Sequence, residues 1–245
     1  MTQIRRIDWL GIALIGLLVQ AFWALRLTHP SYMDAYYYTT NGQRLADGFG
    51  FTEEIIWQFL DEPAGTPTPS HTYWMPFPSL LAALGYQTSN SFRGAQWPFW
   101  LLAGLLPLLA LAISQQLSGE RWQAWVAAMF TAAGGFYAHW FSQPSTFAPF
   151  AWAGGLGLYA LAQGSRSGER KAEGQRRWIW WLLAGIMAGV AHLTRADGVL
   201  VMLVGVWVII LEIGRLEDWK ISLWSQLSCS PSHWLLTGNG WVVCS

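Results

Sequence analysis

The sequence predicts an all-α fold, a polytopic membrane bundle of about six transmembrane helices. The 245-residue chain is 53% hydrophobic and only 11% charged, whereas soluble domains carry about 25% charged residues. Its 18 Trp residues gather near the ends of the apolar segments, where an amphipathic ring is stable at the level of the lipid headgroups. Several segments approach the roughly 20 apolar residues needed to cross a bilayer. They lie near residues 9–27, 97–114, 122–141, 147–163, 178–194 and 198–213.

The first apolar segment and the basic residues predict the orientation of the chain. Segment 9–27 is interpreted as a retained signal anchor, because its core is long and no small-residue cleavage site precedes Arg26. A cytoplasmic N-terminus places most Lys and Arg residues on the cytoplasmic side, the basic loop Gly164–Arg177 above all. We therefore expect a multi-pass protein of the plasma (inner) membrane.

A polar, aromatic-rich loop, residues 28–96, separates the first two apolar segments and is expected on the extracytoplasmic side. Asp34 is placed to cap a helix that runs to about Asp47, and Gly48 follows as a stop. The helix would lie along the membrane interface. Its predicted inner stripe consists of Ala35, Tyr38, Gly42 and Leu45. A second short amphipathic helix is predicted for about Ser79 to Tyr86.

Charge and cysteine usage exclude several classes of function. The 14 basic and 14 acidic residues cancel, so nothing indicates binding to nucleic acid. Both Cys residues, Cys229 and Cys244, lie in the C-terminal tail, so the loop contains no disulfide, and no Cys/His spacing is typical of zinc. A divalent cation could bind carboxylate oxygens of the loop, although we expect those residues to form solvated surface. They are Glu53, Glu54, Asp61 and Glu62.

Three short motifs carry a resemblance to a known family. They are Met-Asp-Ala-Tyr-Tyr-Tyr at 33–38, Tyr-Trp-Met-Pro-Phe-Pro at 73–78 and Leu-Thr-Arg-Ala-Asp-Gly at 193–198. With one span followed by a large outer loop, they resemble the GT-C glycosyltransferase superfamily, in particular the family 39 or protein-mannosyltransferase-like enzymes of bacterial membranes. The family's Asp-Glu pair is Asp34-Ala35 here. The resemblance covers about residues 1–215, and 216–245 is expected to be an irregular or truncated tail.

The resemblance implies inverting transfer of a sugar from a polyprenyl-phosphate donor to an acceptor hydroxyl at the extracytoplasmic face. Asp34 would be the general base, and Arg195 would bind the donor phosphate through its planar guanidinium. The alternatives are that Asp34 only caps a helix and that Arg195 only pairs with Asp197. The acceptor, a glycan, lipid or protein, is not specified. Further candidates for substrate contact are Tyr37, Tyr38, His71, Tyr73, His192 and Asp197.

Two other interpretations stay open at this point. The chain could be a non-enzymatic membrane protein, such as a transporter fragment or an assembly partner, or a truncated glycosyltransferase without activity. Transporters usually contain paired structural repeats, and no repeat relates residues 1–110 to 111–215. The clustering of polar residues at one interface favours the enzyme.

Overall fold

The computed structural model describes residues 4–56, 64–166, 177–227, 236–237 and 240–241. This part of the chain is mostly helical and forms two compact units, Met1–Leu203 and Val204–Ser245. Its helices are α1 Arg6–Arg26, α2 Met33–Ala46, α3 Phe77–Tyr86, α4 Phe92–Ser118, α5 Arg121–Ala133, α6 Ala138–Phe141, α7 Phe147–Arg166, α8 Arg177–Thr194 and α9 Val199–Leu227. In the first unit β1, Thr52–Glu53, pairs antiparallel with β2, Thr68–Pro69, and in the second β3, Leu236–Thr237, pairs antiparallel with β4, Gly240–Trp241.

Within the described residues, α1 and α4 are long and apolar enough to cross a membrane. They have 21 and 27 residues, and each contains a stretch with a mean hydropathy of 1.8. The two helices also approach each other closely, since a Cβ added at Gly16 would lie 2.1 Å from the carbonyl oxygen of Gly104. Small residues at such a crossing are typical of helices that pack inside a bilayer.

The third apolar segment, 122–141, is not the single helix that the sequence predicted. Helix α5 ends at Ala133 because Gly134 and Gly135 adopt φ angles of 60° and 52°, a left-handed conformation that glycine tolerates and other residues rarely do. The chain then passes through a short 3-10 turn, Gly135–Tyr137, into α6. The 13 residues of α5 span only about 20 Å.

The loop between α1 and α4 is built around the contact of α2 with α3. Of the predicted stripe, Ala35, Tyr38 and Gly42 are buried and Leu45 is half-buried. Gly42 lies directly against α3, because a Cβ there would come within 2.6 Å of the Ala82 Cβ. The stripe therefore packs on protein, and α3 begins at Phe77, two residues before the predicted start.

Hydrogen bonds attach this loop to the helices around it. The side chains of Arg93 and Gln96 in α4 donate to the backbone oxygens of Ala24 and Leu25 in the last turn of α1, where carbonyls lack the usual partners four residues further along a helix. The backbone N–H of Ser31 donates to Gln143 Oε1 at 2.9 Å, and Gln143 Nε2 donates to Ser31 Oγ at 2.6 Å. The start of α2 is thereby held against the connector that precedes α7.

Several features singled out in the sequence lie outside the described residues. These are most of the basic loop, residues 167–176, the acidic residues Asp61 and Glu62, and both cysteines. The predicted spans 178–194 and 198–213 correspond to α8 and to the first part of α9. Helix α9 continues to Leu227, so the tail segment 216–245 begins as helix.

Candidate functional site

A cavity of about 300 Å³ opens beside the first turn of α2. Its wall joins the start of α2, residues 73–75, the residue before α7 and the turn that follows α8. We call it the Asp34 cavity. It is lined by Asp34, Tyr38, Tyr73, Trp74, Met75, Thr146, Thr194, Arg195, Ala196 and Asp197. The three motifs of the sequence, far apart along the chain, thus meet around one space.

Asp34 lies in the first turn of α2 and is not its N-cap residue. The N-cap is Tyr32, so the prediction that Asp34 caps the helix is wrong. The helix starts one residue before Asp34, and the carboxylate lines the cavity instead. Burial raises the pKa of Asp34, while the charge of Arg195 and a hydrogen bond from Trp74 lower it in part. A carboxylate in this setting is a stronger base than an exposed aspartate.

Arg195 is positioned by a tight turn between α8 and α9. Its backbone N–H donates to Ala191 O, and Gly198 N–H donates to Arg195 O, both at 2.9 Å. Gly198 is required there, because a Cβ would lie 2.2 Å from the backbone nitrogen of His192. The turn fixes the guanidinium at the mouth of the cavity.

The guanidinium of Arg195 is only partly engaged. Its Nη2 and Nε donate to Asp197 Oδ2 at 2.8 and 3.2 Å, and its Cζ lies 5.6 Å from the centroid of the Phe150 ring. The ion pair expected as the alternative role is therefore present. Among the described residues, no hydrogen bond or ion pair joins Arg195 to Asp34, although both line the cavity. The remaining N–H groups of the guanidinium can still bind an anion.

Two tyrosines, Tyr38 and Tyr32, lie near the Asp34 carboxylate. Tyr38 is one helical turn after Asp34 and is 1% exposed, and its hydroxyl has no hydrogen-bond partner in the described part of the chain. Burial, with the nearby charge of Asp34, raises the pKa of both Tyr38 and Tyr32. Tyr32 is hydrogen-bonded to Ser145. The cavity therefore contains a buried, neutral phenol whose O–H is available to a ligand.

Sequence reasoning missed the contribution of the connector that precedes α7. Thr146 lines the cavity, Ser145 contacts Tyr32 and Gln143 is fully buried against Ser31. The available signal was the polar run Ser-Gln-Pro-Ser-Thr at 142–146, which interrupts two apolar segments. Its length is ordinary for a helix connector, so nothing in the sequence distinguished it from a plain turn.

Three of the predicted site residues do not line the Asp34 cavity. Tyr37 points to the other face of α2, and its hydroxyl accepts from the backbone N–H of His71 at 2.7 Å. His71 lies between Ser70 Oγ at 2.7 Å and Ser79 Oγ at 2.9 Å, and burial lowers its pKa to about 4. The Nδ1 atom of His192 is buried without a partner among the described residues. His71 is therefore a neutral hydrogen-bonding residue of the loop.

Tyr37 still contributes indirectly to the cavity through Trp74. The two ring centroids are 5.1 Å apart with an interplanar angle of 33°. Tyr73 packs edge-on against Trp74 at 4.7 Å and is itself 64% exposed at the cavity wall. Trp74 and Tyr73 thus present one half-buried and one open ring to a ligand.

Of the acidic loop residues that we expected to form solvated surface, Glu53 is buried and Glu54 is exposed as expected. Glu53 is 4% exposed, because the β1–β2 ribbon places its side chain against α2, where Tyr37 and Asn41 hydrogen-bond to it. Glu54 is exposed and pairs with Arg44. Among the described residues, no group of three or more His, Cys, Asp or Glu side chains could hold a metal ion.

The chain matches no protein-family model, and no curated protein or solved structure shows a significant similarity to it. The site is therefore interpreted from its own chemistry. That chemistry is a half-buried carboxylate, a partly engaged guanidinium and aromatic side chains around a cavity.

Proposed function

We propose that this chain is an integral-membrane glycosyltransferase that transfers a sugar from a polyprenyl phosphate to an acceptor hydroxyl, with inversion. One observation carries the proposal. Asp34 and Arg195 come from distant parts of the sequence and line one cavity, and no ion pair joins them within the described residues. This reaction requires a base and an anion-binding group on the wall of a cavity that can hold the substrates.

The reaction assigns one task to each group. As the acceptor oxygen bonds to the anomeric carbon, its proton passes to the Asp34 carboxylate, an effect worth about 10²–10⁴-fold. The bond between the anomeric carbon and the phosphate oxygen breaks, and its electron pair stays on the departing polyprenyl phosphate. The guanidinium of Arg195 binds that phosphate through charge-assisted hydrogen bonds. Tyr73 and Trp74 offer ring faces to the sugar.

In this proposal the apolar segments form about six membrane spans, with the N-terminus in the cytoplasm of the inner membrane. Spans that alternate in direction place the connectors 28–96, 142–146 and 194–198 on the same, extracytoplasmic side. Each of these connectors contributes a residue to the cavity, respectively Asp34, Thr146 and Arg195. Leu10, Leu14 and Leu18, which repeat every four residues on α1, are exposed, as expected of a lipid-facing stripe.

The test is a transfer assay on the full chain in lipid nanodiscs. Polyprenyl phosphates with different labelled sugars are supplied as donors, with a membrane extract as the source of acceptors. We expect release of free polyprenyl phosphate and label in a new product with at least one donor. Nucleotide sugars serve as the matched donor control and should give no product, because they lack the polyprenyl chain.

A preparation of Asp34→Asn, purified in parallel, controls for contaminating enzymes. The proposal fails if no polyprenyl-phosphate sugar is turned over by the wild-type chain. It also fails if Asp34→Asn releases polyprenyl phosphate as fast as the wild type does.

A further inference from the structure

A second cavity, of about 370 Å³, lies beside another face of α2. We call it the Glu53 cavity. Residues 34 and 38, four apart, line the first cavity, whereas 33, 36, 37, 40 and 41 line the second. This spacing divides the helix into two faces. Among the described residues, Glu53, Glu54 and Ile55 also line the Glu53 cavity.

Two acceptor oxygens of the Glu53 cavity have no donor. Oε2 of Glu53 and Oδ1 of Asn41 are buried without hydrogen-bond partners among the described residues, and the two side chains belong to residues that are 4% and 2% exposed. The Asn41 Nδ2 donates to Tyr37 O at 3.0 Å, and Tyr37 and Asn41 also hydrogen-bond to the Glu53 carboxylate, so Oε2 is the oxygen of that carboxylate that lacks a donor. Unpaired acceptors at this depth are costly, so the site favours a ligand that supplies N–H or O–H groups.

The charge of the cavity wall indicates which kind of N–H or O–H donor fits the site. None of the described residues that line it is basic, and Arg44 donates instead to Thr52 and to the exposed Glu54 carboxylate. Within the part of the chain that the structure describes, no cation pairs with the buried Glu53 carboxylate. Tyr36, Tyr37, Met33 and Ile55 supply aromatic and apolar wall. A buried carboxylate with neighbouring aromatic rings is complementary to a cation that carries hydrogen-bond donors.

We propose that the Glu53 cavity binds a primary ammonium group. The ammonium donates to Glu53 Oε2 and Asn41 Oδ1, and its carbon chain lies against the rings of Tyr36 and Tyr37. This site is separate from the Asp34 cavity and does not depend on the proposed transfer reaction. The same headgroup chemistry occurs in small soluble amines and in phosphatidylethanolamine, and the test below distinguishes these two sources.

The test measures binding of ethanolamine to the full chain in phosphatidylcholine nanodiscs by calorimetry, at about pH 8, where ordinary carboxylates are ionised. Choline, which has no N–H, should bind at least about tenfold more weakly because the two oxygens would stay unpaired. Glucose, a neutral polyol, should not bind. Glucose binding as tight as that of ethanolamine would overturn the proposal.

Variants connect the binding to the cavity. Glu53→Gln keeps the shape of the side chain and should weaken ethanolamine binding at least about tenfold, since it removes the charge that the ammonium pairs with. The matched control is Glu54→Gln on the adjacent exposed position, which should change the affinity less than about twofold. Met33→Trp, at the exposed rim, should block entry without changing either acceptor. Unchanged binding in Glu53→Gln, or in a folded Met33→Trp, would contradict the assignment.

The lipid composition of the nanodiscs distinguishes a soluble amine from phosphatidylethanolamine as the source of the ammonium group. Replacing phosphatidylcholine by phosphatidylethanolamine should abolish ethanolamine binding if the cavity takes a lipid headgroup. It should leave the binding unchanged if the ligand is a soluble amine.

Discussion

Two aspartate–arginine couples in this molecule use the same residue types in opposite ways. At Asp8, which is 1% exposed, Arg121 donates to both carboxylate oxygens at 2.6 and 2.9 Å. The indole N–H of Trp125 and the backbone N–H of Arg5 add bonds of 3.1 and 2.7 Å. Every acceptor of that carboxylate is engaged, and α1 is fixed to the start of α5.

Asp34 and Arg195 form the contrasting couple. The charge of Arg195 lowers the pKa of Asp34 in part. Within the described residues, however, the side-chain hydrogen bonds of Arg195 go to Asp197, and the Asp34 carboxylate lines the cavity. A closed couple such as Asp8–Arg121 stabilises the fold and offers nothing to a substrate. An open couple costs stability, so its persistence at a cavity favours a role in binding or chemistry.

The largest expected effect that separates the two couples is on turnover. Asp34→Asn keeps the shape of the side chain and removes the base, so the rate of sugar transfer should fall by about 10²–10⁴-fold. The unfolding temperature should stay the same or rise, because a half-buried charge is lost. Transfer rates and thermal unfolding of the same preparations provide the two measurements.

Asp8→Asn is the matched control and should show the reverse pattern. It leaves Arg121 without its partner and should lower the unfolding temperature, because removing one member of a buried pair is strongly destabilising. Turnover per folded molecule should stay within about twofold. If the two variants exchange these patterns, the distinction between a structural and a reactive couple is wrong.

The next effect in size concerns the donor phosphate. Arg195→Ala removes a charge-assisted contact worth about 1.5–3 kcal/mol, so the donor Kd should rise roughly 10- to 100-fold. Arg195→Lys keeps the charge but loses the planar fork and should recover only part of that affinity. The measurement is the Kd of the polyprenyl-phosphate sugar, compared with and without Arg195→Ala in a chain that also carries Asp34→Asn, so that transfer is slow. An unchanged Kd in Arg195→Ala would remove this residue from the phosphate site.

The sequence predicted those parts of the fold that depend on local pattern. The inner stripe of α2 and the short helix near residue 80 follow from periodicity, and both are present. Alternation of apolar segments predicted that Asp34 and Arg195 lie on the same side of a membrane; the side stays a prediction, and in the structure both residues line one cavity. Their chemical roles stay predictions.

Other features depend on tertiary contacts that no local pattern contains. The break after Ala133 requires two consecutive glycines to adopt positive φ angles, whereas glycines elsewhere in the apolar segments lie within helices. Glu53 was expected in solvent, and it is buried because a two-residue ribbon turns it toward Tyr37 and Asn41. His71 resembled a substrate contact until its two serine partners were known. In each case the outcome depends on a contact or a backbone conformation of the folded chain, which the residue types alone do not specify.

The weakest of these effects concerns the pH profile of the open couple, Asp34 and Arg195. Asp34 must be ionised to accept a proton, so kcat/KM should fall as the pH drops through its pKa. Because burial raises that pKa, the acid limb should lie above the position of an ordinary aspartate, about pH 3.9. The charge of Arg195 lowers the same pKa, so Arg195→Ala should move the limb further upward. Arg26→Gln, which removes a cation outside the cavity wall, should not move it. A limb that shifts downward in Arg195→Ala would show that the two groups do not share a site.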